Sequence, residues 1–180
     1  MYPYASMISK SSLADHYDDF LNKKVEKETE TISTIPEKML SLLKKRLDKY
    51  GLNNIQLIEK SYVPLTWQET AQIFKDYPRN RAAFLKTIAY SNIDECMRLG
   101  LKDKDLKLMK LGISPENYNT HLKIPFDFGG TLDFENFSLI KSHPTHDQIH
   151  NLIELQISND YLRINKKVFI PSFKERIYND

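Results

Sequence analysis

One cysteine and five glycines in 180 residues leave this chain short of two residue types on which many small folds depend. A single thiol, Cys96, excludes an internal disulfide and any zinc site built from paired cysteines. It lies in the apolar stretch 93–99, where a small buried hydrophobe is expected. No stretch approaches eighteen consecutive apolar residues, so nothing reads as a membrane span and no membrane partner is expected. An excess of one charge is missing too. Lys and Arg number 26 against 24 Asp and Glu, a formal net charge of +2. That is too little for a whole-molecule grip on nucleic acid, although a local basic face is compatible with it. The basic runs at 44–46 and 102–110 read as solvated helix faces. The first residues lack the basic start and long apolar run of a cleaved export signal. The expectation is a cytoplasmic protein in its producer, delivered, if at all, by a route that reads no such signal. With 41% hydrophobic and 28% charged residues, the composition is that of a globular protein able to bury a core.

Residues 1–35 read as an N-terminal extension or linker. Within it, 11–25 fits a short amphipathic helix, and the charged stretch 26–33 fits a linker or an exposed helical turn. Pro36 opens a predicted helix that ends near Gly51, since proline suits the first helical position and glycine the position after the last. Residues 55–63 are ambiguous between strand and loop. Thr66, Trp67, Gln68 and Glu69 fit a capping box, predicting a helix to about Tyr77 stopped by Pro78. Further helices are predicted over 79–90, over 93–99 with Ser91 as cap, and a fourth with Asp103 as cap that ends at Gly112. The stretch 36–112 is thus expected to be a helical region. From 113 to 180 the texture changes to short strands over 120–124 and 136–140 around the loop containing Gly129 and Gly130, then a helix from Pro144 to about 157. A strand-like run over 167–170 comes next. The fold class expected is α+β, with the helical region and the C-terminal module packed as one domain.

Four of the five histidines fall between positions 121 and 150. His146 and His150 are four apart on the predicted helix, which places both imidazoles on one face, the spacing by which a helix offers two ligands to one metal. His121, on the first strand of the hairpin, can supply a third ligand and leave positions open for water and substrate. Glu154, one turn further on, reads as a solvated or supporting carboxylate. Trp67 and the many Tyr and Phe residues could stack on bases, but no run interleaves them with Arg and Lys and core packing explains most of them; Phe126, Phe128, Phe134 and Phe137 are expected to close the hairpin over its core. Arg79 and Arg81 read as surface residues.

The run from His121 to Ile140, in which Lys123, Ile124 and Pro125 precede Gly129, Gly130 and Thr131 and then Asp133, Phe134 and Asn136, resembles the HNH/endonuclease VII (ββα-metal) superfamily. It is similar in particular to the nuclease domains at the C-termini of bacterial polymorphic toxins, whose pattern reads His-His-Lys-Ile-Pro-Leu, Gly-Gly-Thr, Asp-Phe-x-Asn-Leu and then helical histidines. The likeness spans about residues 90–180 and is strongest over 118–150. It implies a C-terminal ββα-metal core and a metal-dependent endonuclease, acting on DNA more than RNA, as a bacterial toxin or effector with a possible inhibitory immunity protein as partner. His121, His146 and His150 would be ligands to one divalent ion, whether zinc, magnesium, manganese or nickel. Asn136 would steady the loop and the catalytic base. The ion would stabilise charge on the scissile phosphate and the leaving 3′ oxygen. The family carries a histidine base next to the strand ligand, and this chain has Leu122 there. Loss of a general base typically costs about a hundred- to ten-thousand-fold in rate. Three readings stand: His143 as a relocated base, against the plainer role of an exposed residue before Pro144; an ion acidic enough to activate water unaided; or a degenerate nuclease scaffold that works by binding a protein.

Overall fold

The computed structural model describes residues 28–158 and 167–178. The chain divides into two compact units, Met1–Lys38 and Met39–Asp180. The helix expected over 11–25 lies outside the described residues. The second unit is an α+β fold of helices and two small antiparallel sheets.

Helix α1 runs Glu28–Tyr50, so Pro36 lies inside it rather than at its start, and the stretch read as a linker or exposed turn is helical from Glu28 onward. The glutamates of that stretch are good helix formers. Leu43 and Leu47 are buried. The ambiguous stretch is strand β1, Gln56–Ser61. Helix α2, Trp67–Ser91, starts as the capping box predicts: the Glu69 carboxylate accepts from the Thr66 N–H at 2.8 Å, and the Glu69 N–H donates to Thr66 Oγ1 at 3.3 Å. It does not stop at Pro78, and the two helices predicted on either side of that proline are one. Proline removes one backbone bond, but the buried face continues through it as Tyr77, Phe84, Leu85, Ile88 and Ala89, and that burial outweighs the loss. Short helices α3 (Ile93–Arg98) and α4 (Asp103–Lys110) complete the helical layer. Asn92 and Lys102, rather than Ser91 and Asp103, occupy their N-cap positions.

Strands β2 (Tyr118–Leu122) and β3 (Phe137–Lys141) form an antiparallel hairpin in which Leu122 faces Phe137 and His121 faces Ser138. Side chains alternate across a strand, and here the two sides meet different partners. Tyr118 and Leu122 of β2, with Phe137 and Leu139 of β3, pack into the core formed by α2, α3 and α4, where the Phe137 and Phe84 rings stack at 5.5 Å. His121 and Ser138 face the other way. Phe126 and Phe134 join the helical core, but Phe128 does not: it packs with Ile153, Val168 and Ile170 in a second cluster.

After β3 the chain makes one wide turn, Ser142–His146, with a cis His143–Pro144 peptide, and helix α5 runs Asp147–Ser158. The regular helix expected from Pro144 therefore begins only at Asp147. The residue before a proline is driven out of the helical region, and His143 is extended, at φ −128° and ψ 138°. Strand β4, Lys167–Ser172, pairs antiparallel with β1. On its outer edge the fully buried Gln156 of α5 takes the place of a third strand. Its Nε2 donates to Phe169 O at 2.9 Å, and its Oε1 accepts from the Phe169 N–H at 2.7 Å. Beyond β4 the chain runs along the edge of β3, with a parallel bridge between Leu139 and Ile177. Ser138 Oγ donates to the carbonyls of Glu175 and Arg176, Leu139 N–H donates to Arg176 O, and Tyr178 N–H donates to Leu139 O.

Replacing Gln156 by leucine keeps the volume and removes the two hydrogen bonds that the amide makes to the Phe169 backbone. At about 0.5–1.5 kcal/mol net for each hydrogen bond lost, the Gln156→Leu variant should lose about 1–3 kcal/mol of unfolding free energy, read from urea denaturation against the parent chain.

Candidate metal centre

Three imidazoles meet where the outer face of β2 approaches the start of α5. His121 is buried, 4% exposed. Its ring stands edge-on to those of His146 and His150, with centroids 5.5 and 5.4 Å away and both planes crossed at 89°. The His146 and His150 Nε2 atoms are 2.8 Å apart. One ligand atom from each of the three histidines lies within 4.8 Å of the others, so the group can hold a metal ion. The Phe173 ring lies nearly parallel to that of His121, 5.9 Å away at 23°, and packs against the imidazole face.

The electrostatics suit ligation. Burial drives the His121 pKa well below 6.5, and any charge on His150 or His146 would lower it further. Burial likewise takes His150 down to about 4, with His146 adding to the fall and Asp147 opposing it. His146 is lowered by burial, partly offset by Asp147. Near neutral pH all three rings are uncharged, the form that presents a nitrogen lone pair to a cation. Bonds of about 2.0–2.1 Å in a tetrahedron would hold two nitrogens about 3.3 Å apart. The closer spacing of His146 and His150 is that of an N–H···N hydrogen bond, and an ion would displace its proton and part the rings by about half an ångström.

Asn136 and His143 are not among the converging nitrogens. The Asn136 amide is occupied by loop backbone: Nδ2 donates to the carbonyls of Ile124 at 2.9 Å and Thr131 at 2.8 Å, and Oδ1 accepts from the Ile124 N–H at 2.9 Å. It clamps the loop between the strands. Gly130 is required there by close approach, because a Cβ at that position would sit 1.8 Å from Ile124 O. His143 is 78% exposed, and its Nδ1 is hydrogen-bonded to the Asp147 carboxylate. Sequence reasoning misses Asp147. Its one signal is a place four residues after His143, and a regular helix predicted over both hides what the turn does with that spacing. Glu154 is exposed, as expected of a solvated carboxylate. Cys96 is fully buried, and desolvation raises its thiol to about 11, which removes it from nucleophilic chemistry. Arg81 is half-buried rather than a free surface cation, bonded to Ser114 Oγ.

No family model matches the chain, and no solved structure matches it. Over 102 residues, 56% of its length, the chain is 34% identical to the uncharacterized protein YhhZ of Escherichia coli strain K12. The match spans about a quarter of that relative's length, 25%.

Proposed function

We propose that the chain is a metal-dependent phosphodiesterase of the HNH type, an endonuclease acting on DNA rather than RNA in a bacterial toxin or effector. The observation that carries this reading is the convergence of His121, from a hairpin strand, with His146 and His150, at the start of the following helix. The clamped Gly-Gly-Thr loop between the strands supports it, since Asn136 holds that loop, one part of what the resemblance implies for the family's asparagine. Three protein ligands leave coordination positions for substrate, the arrangement of a catalytic rather than a closed structural site. A divalent ion held there would supply positive charge to the phosphate and to the leaving 3′ oxygen. The three neutral imidazoles would bind and orient that charge, and Phe173 packs against the His121 ring. A set of imidazoles without a carboxylate favours zinc or nickel over magnesium or manganese, which prefer oxygen ligands. The choice of DNA, delivery into a target cell and an inhibitory immunity protein in the producer follow from the resemblance alone. A second reading, a non-catalytic effector that binds a protein through the same scaffold, is favoured by one observation: Leu122, at the family's base position, is packed into the helical core.

Calorimetric titration of metal-free protein should show one Zn²⁺ per chain, much weaker Mg²⁺ binding, and loss of the zinc isotherm in His146→Ala. The sign of the acid response follows from the lowered pKa values. An unfolded histidine binds its proton near pH 6.5 and folded His150 only near 4, so in this range the unfolded state holds more protons. Stability in the presence of chelator is then complete above about pH 6.5 and falls as pH drops toward 4. Thermal melts of the chelated protein should trace that fall, and His150→Phe should flatten it.

Plasmid cleavage with Zn²⁺, Ni²⁺, Mn²⁺ or Mg²⁺ is the functional test, with structured RNA as a parallel substrate. The nuclease reading expects metal-dependent nicking of DNA that disappears in His146→Ala. Folded, zinc-loaded protein that cuts neither substrate would transfer the assignment to the binding reading.

A further inference from the structure

A hydrolase of the proposed kind needs a group to take a proton from the attacking water, and Leu122 is unfit for more than its chemistry. It shares the face of β2 that carries Tyr118 into the helical core, whereas His121 points to the opposite side. A histidine at 122 would enter an apolar core, so any base has to come from another element.

We propose that His143 is this general base and Asp147 its positioning residue, an assignment that rests on the nuclease reading above. The two oxygens of the Asp147 carboxylate face different imidazoles: Oδ2 is hydrogen-bonded to His143 Nδ1, and Oδ1 lies 4.0 Å from Nδ1 of the ligand His146. One carboxylate thus places His143 beside the metal ligands without making it one of them. A carboxylate accepting Nδ1–H leaves Nε2 as the unprotonated nitrogen, directed away from Asp147. His143 is 78% exposed, open to water and to a nucleic-acid backbone. The turn that carries it is held at both ends. The Ser142 N–H donates to Asn117 O, at the base of β2, at 2.8 Å, and Thr145 is buried. An exposed His–Asp pair contributes little to stability, so altering it tests chemistry rather than folding.

In the step so assigned, the water oxygen bonds to phosphorus and its proton passes to His143 Nε2. The bond from phosphorus to the 3′ oxygen breaks, and that oxygen takes a proton from solvent. The products are a 5′-phosphate and a 3′-hydroxyl. The imidazolium is stabilised by Asp147 until it returns its proton to solvent.

The test compares the zinc-loaded parent chain, His143→Ala and Asp147→Ala in DNA cleavage, with zinc affinity measured by calorimetry for each. His143→Ala should lower kcat by about a hundred- to ten-thousand-fold with KM and zinc affinity unchanged, and added imidazole should restore part of the rate. Independently of activity, nitrogen-15 NMR of the parent should show His143 as the Nδ1–H tautomer, reverting in Asp147→Ala toward the Nε2–H form that a free neutral imidazole prefers. A parent that cleaves DNA no faster than His143→Ala overturns the base assignment and leaves the nuclease reading standing. So does an Nε2–H tautomer in the parent. Loss of zinc from His143→Ala would make the residue part of the ligand set and also overturn the assignment. A zinc-loaded parent that cleaves nothing overturns the base together with the nuclease reading.

Discussion

Strand β2 has to satisfy two environments at once, and the period of two along an extended chain is what allows it. Tyr118 and Leu122 enter the apolar core against α2, while His121, one residue from Leu122, is delivered to the opposite face. A slip of one residue in the pairing with β3 would exchange the faces, burying an imidazole among the Phe84 and Phe137 rings and exposing leucine to the histidines. The helical layer is therefore more than a support beside the histidine cluster. By fixing the register of the hairpin, it decides which way His121 points. The long-range pairing of β1 with β4 then closes the other side, bringing residues 56–61 against 167–172, a topology of high sequence separation that folds more slowly than the local helical contacts.

Much of the site is legible in the sequence because its signal is short-range. Two histidines four apart meet on one side whether the segment is a perfect helix or, as here, a wide turn leading into one. The alternation that separates His121 from Leu122 is likewise a property of any strand. The misreadings cluster at prolines. Pro36 and Pro78 look like helix punctuation and lie inside helices, because a local backbone preference of a few kcal/mol yields to an apolar face that continues on both sides. Pro144 acts in the opposite sense: its restriction on His143 delays the helix, and the extended backbone that results brings His143 to Asp147. That contact depends on two dihedral angles, which no spacing rule encodes. Phe128 enters a different core from its neighbours because the 3-10 turn Phe126–Phe128 points successive rings in different directions.

The charge balance of the centre differs from that of an oxygen-ligand site. Its donors are neutral, held so by burial, and any cation entering them brings its full charge into a poorly solvated place. Asp147 sets a carboxylate oxygen 4.0 Å from the His146 ring and shares that carboxylate with His143, so much of the charge of a cation held there would remain uncompensated by the donor set and available to an anion. A near-zero net charge over the whole chain agrees with this: attraction for a phosphate would be local and would depend on the cation.

The segment 172–178 supplies the ring behind His121, the carbonyls that receive Ser138 and the Lys174 carbonyl that receives Lys123 Nζ at 2.9 Å. A ribosome builds from the N-terminus, so all three histidines are polymerised before Phe173 exists. During synthesis the three histidines are present before the ring that packs against His121. A chain broken off before Phe173 would carry all three histidines and lack the ring that packs against His121. The timing of translation thereby sets when the centre can first assemble.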